Sequence, residues 1–328
     1  MRTTYLYLSM ATMGFFGLAQ AADLKVYTIR SAEAMKPAVA AYEQQTGHKV
    51  TLVADKDAGK KLLAGNITDG DVFIGVDVDN LSKISAAKLW LPIRSSVLNN
   101  NIPRALRDQQ NEWYGLGVRV RTPYYDSRQV KPSEINTYAD LAQSKWQGKL
   151  CLRGTRGTYN QGLVAYLIET EGKAKAKQIV AGWLKNLAAP PFDNDTKMIE
   201  AIAAGTCSVG IGNSYYLSRY LKDHPNTPVA ARYVNQSGRG VQANISGGGV
   251  LRTSQQPKLA QSFLEWLSSP AGQALYAPGA EEFPANPKAK VADLVGHWGK
   301  PKLANTSLNA IAKRYPEAQT IIDELNWK

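Results

Sequence analysis

The chain has 328 residues, with 39 Lys and Arg against 27 Asp and Glu, three His, two Cys and 44% hydrophobic residues. That length and apolar content suit about two domains and exclude a disordered chain, and so few Cys and His exclude the usual zinc centres. Tyr supplies 16 aromatic residues against 7 Trp and 6 Phe, and the net charge of +12 points to an anionic partner without naming one.

Residues 1–21 read as a secretory signal peptide. Arg2 gives a positive start, Leu6 to Leu18 is apolar, and Ala19-Gln20-Ala21 has the A-x-A form, so cleavage is expected after Ala21. The apolar run is shorter than the roughly 18–20 residues of a membrane span. Cleavage takes 21 residues and one Arg, leaving 307 residues at +11. Export puts the two cysteines in an oxidising compartment, where Cys151 and Cys207 can pair only with each other within the chain. The bridge would close a loop of about 55 residues, worth roughly 4 kcal/mol in the chain-entropy model. Two buried free thiols are the alternative.

In chain order, Leu24 to Tyr27 predicts a strand. Ala34 to Thr46 predicts a helix with Met35, Ala38, Val39 and Tyr42 inward, stopped by Gly47. Val50 to Val53 and Val72 to Val76 predict strands, with a short helix over Lys60 to Ala64 between them. Trp113 to Val120 predicts a strand, and Arg121-Thr122-Pro123 marks a boundary. The pattern then restarts. Strands are expected at Leu150–Leu152 and Cys207–Ile211, with helices over 161–169, 174–187, 196–204 and 214–221. After Gly247-Gly248-Gly249 come a strand at Val250-Leu251 and a helix over 258–267. Strands alternating with helices indicate parallel α/β units. Two such units in an exported chain suggest a two-lobed solute binder with a hinged cleft.

Spacing singles out the tyrosines. Tyr159 lies eight residues after Cys151, and Tyr215 eight after Cys207. A disulfide would make the two strands near neighbours, so both tyrosines would emerge beyond their carboxyl ends, where open α/β sheets bind ligands. Tyr215-Tyr216 follows Asn213-Ser214, either of which can cap a helix that carries both phenols in its first turn. A helix start favours phenolate, but an ordinary tyrosine titrates near 10, so deprotonation needs a strong electrophile such as Fe(III). The alternative is two aromatics packing a helix start. Eight basic residues between 119 and 156 face three acidic ones, and Arg30 follows the first strand. Three phenolates leave a six-coordinate ion incomplete, so a small anion held by Arg is a natural completion.

These residues resemble the periplasmic ferric-ion-binding proteins of bacterial iron ABC transporters along nearly the whole mature chain. The similarity runs through Val26-Tyr27-Thr28-Ile29-Arg30, Thr46-Gly47-His48-Lys49-Val50, Asp71-Val72-Phe73 and Trp113-Tyr114-Gly115. It continues through Thr137-Tyr138-Ala139-Asp140-Leu141, Trp146-Gln147-Gly148-Lys149, Tyr159-Asn160-Gln161, Asn213-Ser214-Tyr215-Tyr216 and Asn244-Ile245-Ser246-Gly247. The resemblance implies a type II periplasmic binding fold and an Fe(III) site ligated by Tyr159, Tyr215 and Tyr216. It implies Arg30 and Arg121 at a synergistic anion such as carbonate, with Tyr125 and Asn213 in support. Ser31 and Val76 stand where other members place a first-lobe His and Glu, and Ala32 where one branch places a further Tyr. The first lobe is thus expected to give the metal no protein ligand. Its lobes would interleave, residues 22–122 with 247–297 forming the first and residues 123–246 with 298–328 the second. The expected partners are an inner-membrane permease and its ATPase, with no nucleic acid, for a monomeric protein that is not an enzyme.

Other motifs fail. Ser85-Ala86-Ala87-Lys88 has no companion S-D-N or K-T-G, and Gly59-Lys60-Lys61 lacks the rest of a phosphate loop. A polyamine site would want cleft carboxylates. A small-anion binder on the same fold is the remaining rival if the tyrosines only pack.

Overall fold

Short apolar runs set between polar helices fold into one twisted sheet flanked by helices. The computed structural model describes residues 23–328, so the expected signal peptide lies outside the described residues. Its ten strands are β1 (Asp23–Thr28), β2 (Lys49–Ala54), β3 (Val72–Val76), β4 (Trp90–Leu91), β5 (Tyr114–Asp126), β6 (Leu150–Cys151), β7 (Val209–Asn213), β8 (Val229–Ala231), β9 (Ala243–Leu251) and β10 (Phe283–Pro284). The order across the sheet is β2-β1-β3-β9-β5-β7-β6, with β4 on β9 and β8 and β10 on β5. Pairs β1–β2, β1–β3 and β6–β7 are parallel, as the alternating pattern predicts. Among the described residues no helix is long and apolar enough to cross a membrane.

The first helix spans Ala32–Thr46. The Ser31 hydroxyl accepts the Ala34 N–H at its start, and Gly47 ends it in the left-handed region at φ 74°. Met35, Ala38, Val39 and Tyr42 are buried, the face read from the sequence.

Two sequence readings change. The strand expected to stop at Val120 runs on through Arg121-Thr122-Pro123 to Asp126. Residues 114–120 pair with β9, whereas 121–125 pair with β7 and 124–126 with β8. Pro123 is tolerated because it falls where the neighbour changes from β9 to β8, and its carbonyl still accepts from the Arg232 N–H. Gly247-Gly248-Gly249 likewise does not precede the strand but lies in the middle of β9. A Cβ on Gly248 would come within 2.3 Å of the Phe73 carbonyl, and one on Gly249 within 2.1 Å of that of Glu112. Glycine lets this strand lie tightly between its neighbours.

The result is two lobes joined through β5. β1 to β4, β9 and β10 gather on its first half, and β6 to β8 on its second. The cysteines are bonded to each other, with Cα atoms 5.9 Å apart, and β6 and β7 are adjacent as that bridge requires.

Candidate metal site

The helix Thr158–Glu171 follows β6, and the helix Ser214–Asp223 follows β7 without a break. Both begin at the cleft, so Tyr159, Tyr215 and Tyr216 all lie in first helical turns. The Tyr215 hydroxyl donates to that of Tyr159 over 3.2 Å, and the rings of Tyr215 and Tyr216 lie 4.3 Å apart at 30°. Burial raises the Tyr215 phenol far above its ordinary value, and the adjacent phenols of Tyr159 and Tyr216 push it further. Burial also raises Tyr159; the hydrogen bond from Tyr215 opposes this, Asp77 adds to it and Arg119 opposes it. Tyr159 and Tyr215 therefore stay protonated until a strong electrophile displaces their protons.

Tyr159 and Tyr215 open on a cavity of about 270 Å³ between the lobes, and Tyr216 lies beside Tyr215 without lining it. Tyr159, Tyr215 and Arg219 line it from the second lobe; Arg30, Ser31, Val76 and Glu282 line it from the first, with Arg119 of β5 at its floor. Ser31 and Val76 offer no strong metal ligand. Among the described residues no three His, Cys, Asp or Glu groups converge to hold a metal.

The arginines are less free than the sequence suggests. Arg30 lines the cavity, but its Nη2 donates to Glu282 Oε2 at 2.7 Å and its Nε to the Tyr276 hydroxyl at 3.0 Å. Arg119 Nη1 donates to Glu282 Oε1 at 2.9 Å, and its Nη2 to Asp77 Oδ1 at 2.5 Å. Asp77, at φ 68°, also accepts from the Thr158 hydroxyl at 2.8 Å, tying a first-lobe loop to the turn that carries Tyr159. Arg219 pairs with Glu281 across the cleft mouth.

Arg121 corrects an expectation. It is 1% exposed and does not reach the cavity. Its guanidinium donates to Asn160 Oδ1 at 2.6 Å, the Ile211 carbonyl at 3.1 Å, Asp195 Oδ2 at 3.2 Å and Asn213 Oδ1 at 3.3 Å. It fastens the two tyrosine-bearing turns together rather than meeting an anion. Asn213 sits at the helix start as expected, but its side chain goes to Arg121 and makes no cap bond. Tyr125 pairs with Val209, at the far end of β7 from the site. The supporting phenol is its neighbour Tyr124, whose hydroxyl donates to the Asn213 carbonyl. Alternation along the strand sends the two tyrosines to opposite faces. Sequence reasoning missed Glu282 and undervalued Arg119; the only signal was an acidic pair, Glu281-Glu282, in a basic chain.

Glu282 carries a pH prediction. Burial alone would raise its carboxyl, but Arg30 and Arg119 prevail and hold it below the ordinary glutamate range. Such a group stabilises the fold in full above its unfolded value, about 4.3, and that share is lost as pH falls through the lower folded value. Denaturant unfolding from pH 7 to pH 3 should show this acid loss, and Glu282→Gln should flatten it. An unchanged slope in the variant would count against the pairing.

The chain matches the family model for bacterial extracellular solute-binding proteins over residues 37–301. It belongs to that family. Among its relatives is Iron uptake protein A1 of Synechocystis sp., 31% identical over 315 residues that cover 93% of this chain and 88% of the relative. A solved structure of Trichodesmium IdiA (FutA) in complex with iron and citrate superposes with a TM-score of 0.87 at 36% identity, covering 93% of this chain and all of that one. The ferric iron-binding protein A of Mannheimia haemolytica in an open conformation gives 0.86 at 32%, covering 94% and 99%. Solute-binding proteins of this type close two lobes around a ligand, and here the tyrosines stand where the lobes meet.

Proposed function

We infer that this periplasmic protein captures Fe(III) and delivers it to an inner-membrane ABC permease with its ATPase. It acts as a binding protein, not a catalyst. The observation that carries the reading is the convergence of Tyr159 and Tyr215 at one cavity wall, hydroxyls 3.2 Å apart, with Tyr216 packed against Tyr215. Three phenolates neutralise a trivalent ion, a match that a divalent cation or an organic solute does not offer. The relatives' names, an iron uptake protein and a ferric iron-binding protein among them, support the same cargo.

Small oxygen donors fill the remaining coordination positions, with carbonate one such donor. Arg30 and Arg119 already hold Glu282, so an anion reaching Arg30 must compete with that carboxylate. The same pairing weakens the rival readings. A free anion finds its arginines neutralised, and a polyamine finds Asp77 and Glu282 neutralised. We assign residues 22–122 and 247–297 to the first lobe and residues 123–246 and 298–328 to the second. In support, the helix Tyr315–Glu324 packs on Thr158–Glu171, and the Thr155 hydroxyl donates to the Trp327 carbonyl. The working form is a monomer.

Titrating the apo protein with ferric salt, with and without bicarbonate, tests the assignment. A red to orange band should develop to one equivalent, and about three protons should leave per ion, because each phenol must ionise to bind. Absence of a phenolate-to-iron band would refute it. A band that grows equally without bicarbonate would remove carbonate from the site and leave the rest intact.

A further inference from the structure

Behind the phenols, on the second-lobe side, three buried charges share too few partners. Asp195 is fully buried at the start of the helix Asp195–Ala203. Its Oδ2 accepts the Asn213 N–H at 2.9 Å and Arg121 Nη1 at 3.2 Å. Its Oδ1 lies 3.7 Å from Arg153 Nη1, beyond hydrogen-bond reach. Arg153 is only 6% exposed, yet its Nε and Nη1 find no acceptor among the described residues. Its Nη2 makes two long contacts, 3.4 Å to the Arg156 carbonyl and 3.5 Å to that of Asp193. One carboxylate thus serves two guanidiniums. Arg121 is well bonded and takes the better share, so the uncompensated positive charge falls on Arg153.

That charge has one other feature to meet. The Arg153 guanidinium carbon lies 4.9 Å from the centre of the Tyr159 ring, facing it. Burying a guanidinium with idle donors is costly unless an opposite charge compensates. A neutral aromatic face returns part of that cost when desolvated. A phenolate face returns more, because the ring itself then carries negative charge.

We propose that Arg153 is a positioning residue for the iron–phenolate bond of Tyr159, its half-compensated guanidinium holding and polarising the ring from the side away from the cavity. The proposal rests on Tyr159 being an iron ligand. From the ring face the guanidinium acts through its field: it lowers the phenolate donor level and moves the phenolate-to-iron band to shorter wavelength. Asp195 tempers that field, so the two residues act with opposite signs.

Visible spectra and iron affinities of the iron-loaded wild type, Arg153→Met, Arg153→Lys and Asp195→Asn decide it. Met keeps the stem and drops the charge, so its band should move to longer wavelength, with binding about tenfold weaker, the low end of what loss of a metal ligand's outer partner brings. Lys keeps the charge and should leave the band near its wild-type position. Asn keeps the acceptor for the Asn213 N–H and should move the band to shorter wavelength. If Met fails to fold, by circular dichroism, the Lys and Asn pair still reads the sign. A purely structural role moves Met and Asn alike, and that result overturns the proposal, as does a coloured wild type whose band none of the variants shifts. A wild type that stays colourless with iron sinks the ferric reading itself, and this inference with it.

Discussion

Tyr215→Phe should take part of the colour from the iron-loaded protein and weaken Fe(III) binding by at least about 1,000-fold, or about 4 kcal/mol, well beyond the 10–100-fold typical of removing an outer partner. Tyr215 is the middle phenol, bonded to Tyr159 and stacked on Tyr216. Phe fills the same space, so the fold should survive while one charge and one bond to the metal are lost. Tyr159→Phe and Tyr216→Phe should each give a partial loss of colour, because two phenolates remain. Two controls sharpen the reading. Tyr125→Phe, near the far end of β5, should change nothing, whereas Tyr124→Phe frees the Asn213 carbonyl and should weaken binding modestly. Affinity is measured by competition with a ferric chelator and colour in the same cuvette. Wild-type affinity and colour in Tyr215→Phe would end the assignment.

Reducing the Cys151–Cys207 bond, or replacing both residues with Ser, should cost about 4 kcal/mol of stability for a closed loop of this length. The bond spans 56 residues and ties β6 to β7 just upstream of both tyrosine-bearing helices. Its loss should therefore show twice. The denaturation midpoint of the apo protein should fall, and iron should restore part of the loss, because a ligand that binds only the folded form stabilises it by mass action. Unfolding curves with and without reductant, each with and without one equivalent of iron, separate the two effects. Equal midpoints with and without reductant in the apo protein would show that the bridge contributes no stability.

What the sequence made legible was local. Two intervals of eight residues put Tyr159 and Tyr215 beyond neighbouring strands, because a disulfide and a parallel pair both constrain distance. Periodicity found the first helix and its buried face. Partners across the chain were not legible. Arg119 and Arg121 are two residues apart on one strand, about 7 Å. Yet the partner strand of β5 changes from β9 to β7 between them, so Arg119 meets Asp77 and Glu282 while Arg121 meets Asp195. Nothing in Arg-Val-Arg announces which carboxylate each will find. The glycine run and Pro123 misled for the same reason: both residue types usually mark turns, and only crowded neighbouring strands explain them here.

The continuous course of β5 from one lobe to the other has a mechanical consequence. Each half of that strand is pinned into its own ladder, so bending concentrates at the Val120–Arg121 step where the ladders change and resembles a torsion spring more than a tether. Little freedom is then surrendered on shutting, and the phenols, all mounted on one half, need no rearrangement when the other swings over them. On the proposed reading an arriving ion would meet a finished half-socket, and shutting would only take it out of solvent.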